Sequence, residues 1–382
     1  MISHLIPHVY AHCSSHLQFS KLVVERTQNP RPKEKYENLK FGHTFSDHML
    51  EVDWKEGEGW GVPKIRPFGN LSLHPAASSL HYGLQCFEGM KAYKDAQGNA
   101  RLFRPEMNMH RINSSAKRLL LPTIDTEQAM LCLKELVRID KDWIPDKDGY
   151  SLYIRPTLIS TTNYLGVAPP SEAKFFIICS PVGPYYPTGF NPVKLLADPK
   201  YVRAWPGGTG NIKCGGNYAA GILPQREAAA KGYQQLLWLF GENHEVTEVG
   251  TMNQFWYWYN KDGKAELVTA PLDGTILPGV TRDSVIQLAK SWGIPVREEK
   301  YTITEVIDAI KENRMIEAFG TGTAAIVSPV KALGFMGVDY DIPLDKEDPT
   351  AKAGKLTRRI MSAITDIQYG RVPHPWSVVV NE

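Results

Sequence analysis

The stretch GGTGNIKCGGNYAAG, residues 207–221, sets one lysine, Lys213, among six glycines. Glycines let a backbone approach a bulky, flat ligand closely. A lysine whose surroundings keep its amine neutral for part of the time forms a Schiff base with an aldehyde. Asn217 and Tyr218 follow and supply hydrogen-bonding side chains. Two commoner glycine-rich patterns do not fit. A phosphate-cradling loop reads Gly-Lys-Ser/Thr, whereas Lys213 stands between Ile212 and Cys214. A dinucleotide fingerprint starts at Gly208 and Gly210 but has Lys213 at its third glycine position. The bland alternative is a solvated loop lysine.

A reactive lysine among glycines suggests pyridoxal 5′-phosphate. That cofactor requires a carboxylate for its ring nitrogen, a donor near its ring oxygen and an anion site for its phosphate. EVTEVGTMN, residues 245–253, places Glu248 beside a Gly-Thr turn and offers the carboxylate. In ILPGVTRDS, residues 276–284, a Gly-x-Thr sequence opens a helix. First-turn N–H groups and the Thr281 hydroxyl form a natural phosphate site. FGTGTAAI, residues 319–326, is a second Gly/Thr turn whose N–H groups suit phosphate or carboxylate. Each has an ordinary reading: Glu248 as a surface turn residue, Thr281 as a simple N-cap. The combination is far more specific than any member.

The chain that must position these groups has 382 residues, enough for about two domains. Its 43 Lys and Arg nearly balance 41 Asp and Glu, so no electrostatic footprint for nucleic acid or anionic membrane is expected. No apolar run reaches the roughly 18 residues of a membrane span. Cys13, Cys86, Cys132, Cys179 and Cys214 show no Cys-x-x-Cys spacing, so a reducing compartment is expected and a zinc site is not. Residues 1–24 lack Asp and Glu and carry His4, His8, His12 and His16 at intervals of four. Pro7 argues against a continuous metal-binding helix there, leaving a targeting or disordered segment. Its lack of acids suits mitochondrial import, its lack of arginine before Arg26 does not; the expectation is mitochondrial, with the cytoplasm as alternative.

Apolar periodicity predicts helices over 104–122, 126–145, 217–232, 281–293, 302–313 and 349–370. Runs rich in β-branched and aromatic residues predict strands, among them LSLHP, SLYIRPTLIS, KFFIICSPV, QLLWLF and FWYWYN. Asp262 and Gly263 read as a hairpin turn. The mixture is α/β (α+β) in two units. The expected division is an N-terminal arm at 1–39, a small α/β domain at 40–181, an interdomain loop at 182–192 and a large cofactor-binding domain at 193–382.

The motifs FGHTFSDHML, LHYGLQCFEGMKAY, RLFRPEMNMHRINSSAKRLLLP, SLYIRPTLI, YVRAWPGGTGNIKCGGNY, TEVGTMN, LPGVTRDS and FGTGTAAIVSPV occur together and in order. In this the chain closely resembles the branched-chain aminotransferases, within the type IV fold group of pyridoxal-phosphate enzymes, from about Lys40 to Gln368. The resemblance implies a cofactor held between the two domains and ping-pong transamination of leucine, isoleucine and valine with 2-oxoglutarate. Lys213 would carry the cofactor and shuttle a proton. Glu248 would face the ring nitrogen and Tyr218 the ring oxygen. Arg111, Val280, Thr281 and Thr323 would hold the phosphate, with Arg203 and Thr251 close to the cofactor. The Thr323–Ala324 turn would bind the α-carboxylate. Phe41, Tyr82, Phe87, Tyr153, Tyr185, Thr251 and Met252 would line the side-chain pocket, with Arg155 receiving the distal carboxylate of glutamate.

A homodimer is also implied, its loop STTNYLGV, residues 160–167, approaching the partner's pocket in a sequence that departs from the family pattern. Animal members often carry Cys-x-x-Cys after the second Gly/Thr turn. Ala325 and Ser328 stand there instead, so no thiol switch is expected at that place. Two other readings compete: a D-amino acid aminotransferase or aminodeoxychorismate lyase of the same fold group, and a non-catalytic nucleotide-binding protein.

Overall fold

Alternation in SLYIRPTLIS predicts a strand with two unlike faces. The computed structural model, which describes residues 16–184 and 191–380, forms that strand at Ser151–Ser160. Leu152, Ile154 and Leu158 enter a first core, while Tyr153 and Arg155 turn the other way. This strand lies near the middle of a largely antiparallel sheet. Its neighbours are Glu172–Val182 and Met90–Lys94, and His48–Lys55, Lys64–Pro67 and Ala100–Phe103 extend it outward. Two helices, Pro105–Arg118 and Thr126–Ile139, cover the core face with Met109, Ile112, Leu133 and Leu136. Proline at the first position favours the start of the former. Asp125 caps the latter, accepting from the N–H groups of Glu127 and Gln128 at 3.0 Å each.

The second sheet closes on itself. Glu245–Val249, Gln235–Phe240, Val193–Ala197, Ile326–Phe335, Met315–Gly322 and Met252–Tyr259 are successive neighbours, and the last pairs with the first. The closing hairpin sets Glu248 opposite Asn253 and Val249 opposite Met252. Its turn needs a glycine: Gly250 has φ +53°, and a Cβ there would collide with Gln235 Oε1. Trp256 fills the interior, its indole N–H donating to the Tyr301 hydroxyl at 2.9 Å. A third core joins the sheets, with Tyr93 and Phe103 from the first meeting Phe319 and Val327 of the second and the helices Val280–Ser291 and Lys355–Gln368.

Some expectations fail for physical reasons. LSLHP forms no strand: residues 71–75 have no partner strand, and Pro75 could not donate to one. The helix expected over 217–232 divides into Gly216–Ala219 and Ile222–Ala230, on either side of Gly221. Both ends of the described chain return to the first sheet, although the sequence division placed them elsewhere. Leu17 lies in the first core, Val23–Val24 pairs with Lys64–Pro67, and Ser377–Val379 pairs with Ala100–Phe103. His4, His8, His12 and Cys13 lie outside the described residues, and His16 is exposed. Among the described residues no helix is long and apolar enough to cross a membrane.

The last helix begins at Lys355, later than its apolar pattern suggests, because a distant carboxylate caps it. Glu317, buried on the second sheet, accepts from Leu356 N at 2.8 Å, Thr357 N at 2.9 Å and Thr357 Oγ1 at 2.6 Å. Glu317→Ala leaves these buried donors without an acceptor and is expected to lower stability by about 2 kcal/mol or more. Urea denaturation and hydrogen exchange at Leu356 and Thr357 check this; unchanged protection at both amides would contradict it.

Candidate active site

A cavity of about 330 Å³ opens where the first sheet meets the closed ring of strands. Lys213 reaches it from a segment stitched to both halves. Its backbone N–H donates to Ser115 Oγ at 2.9 Å, and its carbonyl accepts from Phe87 N at 3.0 Å. Its amine donates to the Tyr218 hydroxyl at 2.8 Å and lies 4.9 Å from the ring centroids of both Phe87 and Tyr218. Burial, helped by the positive charges of Arg111 and Arg155 and opposed by Glu88 and Glu248, pushes the Lys213 amine down to about 7. Burial and the nearby Glu248 charge push the Tyr218 phenol up, so it stays protonated.

Glu248 lies beneath the cavity, 2% exposed. Arg203 Nε holds its Oε2 at 2.9 Å, and Leu277 N–H and Asn253 Nδ2 donate to its Oε1 at 2.7 and 3.3 Å. Burial raises its carboxyl, against the opposing pull of Arg203 and the Leu277 N–H. Arg203 also donates to the carbonyls of Thr275 and Gly210, so it supports Glu248 from behind.

On another wall the helix Val280–Ser291 starts with its first turn uncapped by any side chain, after Gly279. A Cβ at Gly279 would collide with Asn253 Oδ1. Arg111 bridges to this corner from the helix Pro105–Arg118, donating to the Pro278 carbonyl at 2.8 Å. Its other edge grips Glu88, Nε to Oε1 at 2.7 Å and Nη2 to Oε2 at 2.8 Å. Glu88 is wholly buried and also accepts from Asn108 Nδ2 at 2.8 Å.

The side opposite the helix is aromatic. Phe41 meets Tyr153 edge-on at 4.8 Å. The Arg155 guanidinium stacks 4.6 Å from the Phe87 centroid and 5.2 Å from that of Tyr153, and its Nη2 donates to the Tyr153 hydroxyl at 3.0 Å. Its buried Nε has no hydrogen-bond partner. Thr251, Met252, Thr323 and Ala324 complete the rim.

The cavity therefore brings together Phe41, Phe87, Arg111, Tyr153, Arg155, Lys213, Tyr218, Thr251, Met252, Val280, Thr281, Thr323 and Ala324, with Glu248 and Arg203 behind it. Tyr82 does not join them. It ends the short helix Ser78–Tyr82, is 47% exposed, and donates its hydroxyl to the Leu165 carbonyl at 2.5 Å. Tyr185 lies outside the described residues. Sequence reasoning missed Glu88, Asn253, Gln235 and Ser115. Glu88 left a faint signal, an acid between Phe87 and Gly89 in the motif LHYGLQCFEGMKAY.

These residues suit the cofactor expected from the sequence. A lysine amine is brought down to about 7, a buried carboxylate lies within its electrostatic reach, and an arginine and an uncapped helix start converge beside it.

A profile of the family described as Amino-transferase class IV matches residues 85–333. The branched-chain-amino-acid aminotransferase of Dictyostelium discoideum is 54% identical, over 97% of this chain and 98% of its own length. Two from Saccharomyces cerevisiae, named mitochondrial and cytosolic, are 52% and 50% identical over 95% and 96% of this chain and 93% and 98% of theirs. Among solved structures, the branched-chain aminotransferase of Thermoproteus uzoniensis with norvaline superposes with a TM-score of 0.69 at 26% identity, covering 87% of this chain and 99% of that one. A branched-chain amino acid aminotransferase from T.th. with pyridoxamine 5′-phosphate gives 0.68 at 27% identity, covering 86% and 98%.

Cofactor-free protein offers a direct check on the lysine. Competitive acetylation with acetic anhydride, read by mass spectrometry of the Lys213 peptide, is expected to rise with pH around a midpoint of about 7. An ordinary lysine has its midpoint near ~10.4; such a value here would show that the amine is not desolvated.

Proposed function

Because the chain belongs to the class IV aminotransferases, we infer that it transfers the amino group of leucine, isoleucine and valine to 2-oxoglutarate, yielding branched-chain 2-oxo acids and glutamate. The fold is the two-domain type IV fold, and the cofactor is pyridoxal 5′-phosphate. One observation carries the reading: a desolvated lysine amine faces a cavity that combines an aromatic wall with a single stacked arginine.

When bound, pyridoxal 5′-phosphate supplies an aldehyde carbon to receive the amino group and a ring that draws charge from the substrate Cα. Lys213 Nζ takes the Cα proton and hands it on, a task suited to an amine with its pKa near the working pH. Tyr218 orients Nζ through its hydroxyl and would face the ring oxygen. Glu248 would hold the proton of the ring nitrogen, with Arg203 compensating its burial. Arg111, the N–H groups of Val280 and Thr281 and the Thr281 hydroxyl would neutralise the phosphate. Thr323 and Ala324 would offer backbone N–H groups to the substrate α-carboxylate. Phe41, Phe87, Tyr153 and Met252 exclude water and contact the substrate's methyl groups. Arg155, which lines the cavity beside Phe87 and Tyr153, would receive the distal carboxylate of 2-oxoglutarate.

We also propose a homodimer. The loop 160–167 exposes Leu165 by 62% and Val167 by 85%, apolar surface that suits burial against a second copy. Tyr82, bonded to Leu165, would travel with that loop toward the partner's cavity. Of the two compartments that relatives' names span, the acid-poor residues 1–24 favour the mitochondrial one, which fractionation against matrix markers tests.

With 2-oxoglutarate as acceptor, L-leucine is expected to give glutamate and D-alanine to give none, and Lys213→Ala to lose at least ~10³-fold in turnover. Preference for D-alanine, or near-normal turnover in the variant, would overturn the assignment. Light scattering of the active enzyme is expected to return twice the 42.9 kDa chain mass; a fully active single chain would refute the dimer.

A further inference from the structure

Lys91 has no part in the mechanism above, yet its placement is unusual. On the strand Met90–Lys94, Met90 and Ala92 enter the first core, so Lys91 and Tyr93 face the second sheet. Lys91 is 7% exposed, and its Nζ donates to the carbonyl of Ala324 at 2.7 Å. Among the described residues no carboxylate pairs with it. Burial alone pushes the amine down, to about 8. A buried ammonium with only a carbonyl for company is costly to keep.

The turn it touches runs into strained backbone two residues on, at Ile326. Val327 N donates to the Ala325 carbonyl at 2.8 Å around Ile326, whose φ is +62°. An i to i+2 bond about a residue of positive φ is the rarer γ-turn form, and a β-branched side chain is disfavoured there. Such backbone persists only where its surroundings over-determine it. The same turn lines two spaces. Ala324 and Ala325 border both the cavity of Lys213 and a second cavity of about 200 Å³ that Lys91 also lines. A trans peptide sends its carbonyl and its N–H to opposite sides. Holding the Ala324 carbonyl toward Lys91 therefore turns the Ala325 N–H away from Lys91, and Ala325 borders the cavity of Lys213.

We propose that Lys91 is a positioning residue for substrate carboxylate recognition. Its ammonium pins the Thr323–Ala325 turn from behind, so that the Ala325 N–H joins those of Thr323 and Ala324 in facing the active cavity, and adds a weakly screened positive charge beneath the α-carboxylate. This rests on the reading that the turn receives that carboxylate.

Holoenzyme of the natural chain, Lys91→Met, Lys91→Gln and Lys91→Arg is titrated calorimetrically with 4-methylpentanoate, a branched carboxylate without an amino group, and assayed with L-leucine. The two uncharged variants are expected to keep the cofactor absorbance, to bind the carboxylate at least tenfold more weakly, and to raise KM for leucine more than they lower kcat. Lys91→Arg is expected to recover part of both losses, since the cavity behind the turn leaves room for the larger head group. Natural-chain affinity in whichever uncharged variant folds, or a fall in kcat alone, overturns the proposal. If the natural chain itself fails to bind 4-methylpentanoate while turning over leucine, the carboxylate assignment of the turn is wrong; if it does not turn over leucine, the functional reading is.

Discussion

The site depends on one amine being stripped of water. Around Lys213 stand two cations, Arg111 and Arg155, and two anions, Glu88 and Glu248. Their effects oppose one another, so burial is left as the controlling quantity. That division explains why Glu88 matters although it does not line the cavity. By gripping Arg111 through two hydrogen bonds it presents the lysine with a compensated pair rather than a bare guanidinium. It also fixes the guanidinium so that its third contact falls on the Pro278 carbonyl, just before the helix whose first-turn N–H groups are open.

Desolvation of this kind requires two surfaces, and the lysine segment is what draws them together. Its backbone is tied to Ser115 and Phe87 of the first half, its amine to Tyr218, five residues on. The third core, where Tyr93 and Phe103 meet Phe319 and Val327, continues the same join away from the cavity. The strained Ile326 backbone neighbours Val327, so the Thr323–Ala325 turn is built on that shared core rather than on a free loop. Packing between the sheets and the geometry of the site are therefore one property of the fold.

How much of this was legible in the sequence follows the range of each interaction. Lys213, Tyr218, Glu248 and Thr281 stand in short glycine-rich or turn segments whose chemistry is local, and the cavity gathers all but Glu248, which lies just behind its wall. Strands such as Ser151–Ser160 announce themselves by alternation. What stayed hidden is long-range. Glu88 meets Arg111 across 23 residues, Asn253 meets Leu277 across 24, Lys91 meets Ala324 across 233, and Glu317 caps a helix 39 residues on. Nothing in the local composition around these residues encodes the partner. Tyr82, inside the motif LHYGLQCFEGMKAY, turns within its own chain toward the loop at Leu165, a long-range contact that the motif does not announce.

The pocket has to accept an isobutyl group in one half of the reaction and a carboxylate in the other. A cavity with a free cation would reject the first, and a wholly apolar one the second. In the proposed role, Arg155 would resolve the conflict by its environment. Its guanidinium carbon lies 4.6 Å from the Phe87 ring centroid and 5.2 Å from that of Tyr153, so its charge is partly satisfied by the aromatic rings when no carboxylate is present. The same stacking leaves the surface that a methyl group meets largely aromatic. In the proposed role, the distal carboxylate of a diacid would meet a guanidinium already held by Tyr153, so little side-chain freedom would be lost on binding. Dual specificity would then rest on one cation screened by aromatic faces rather than on a second pocket.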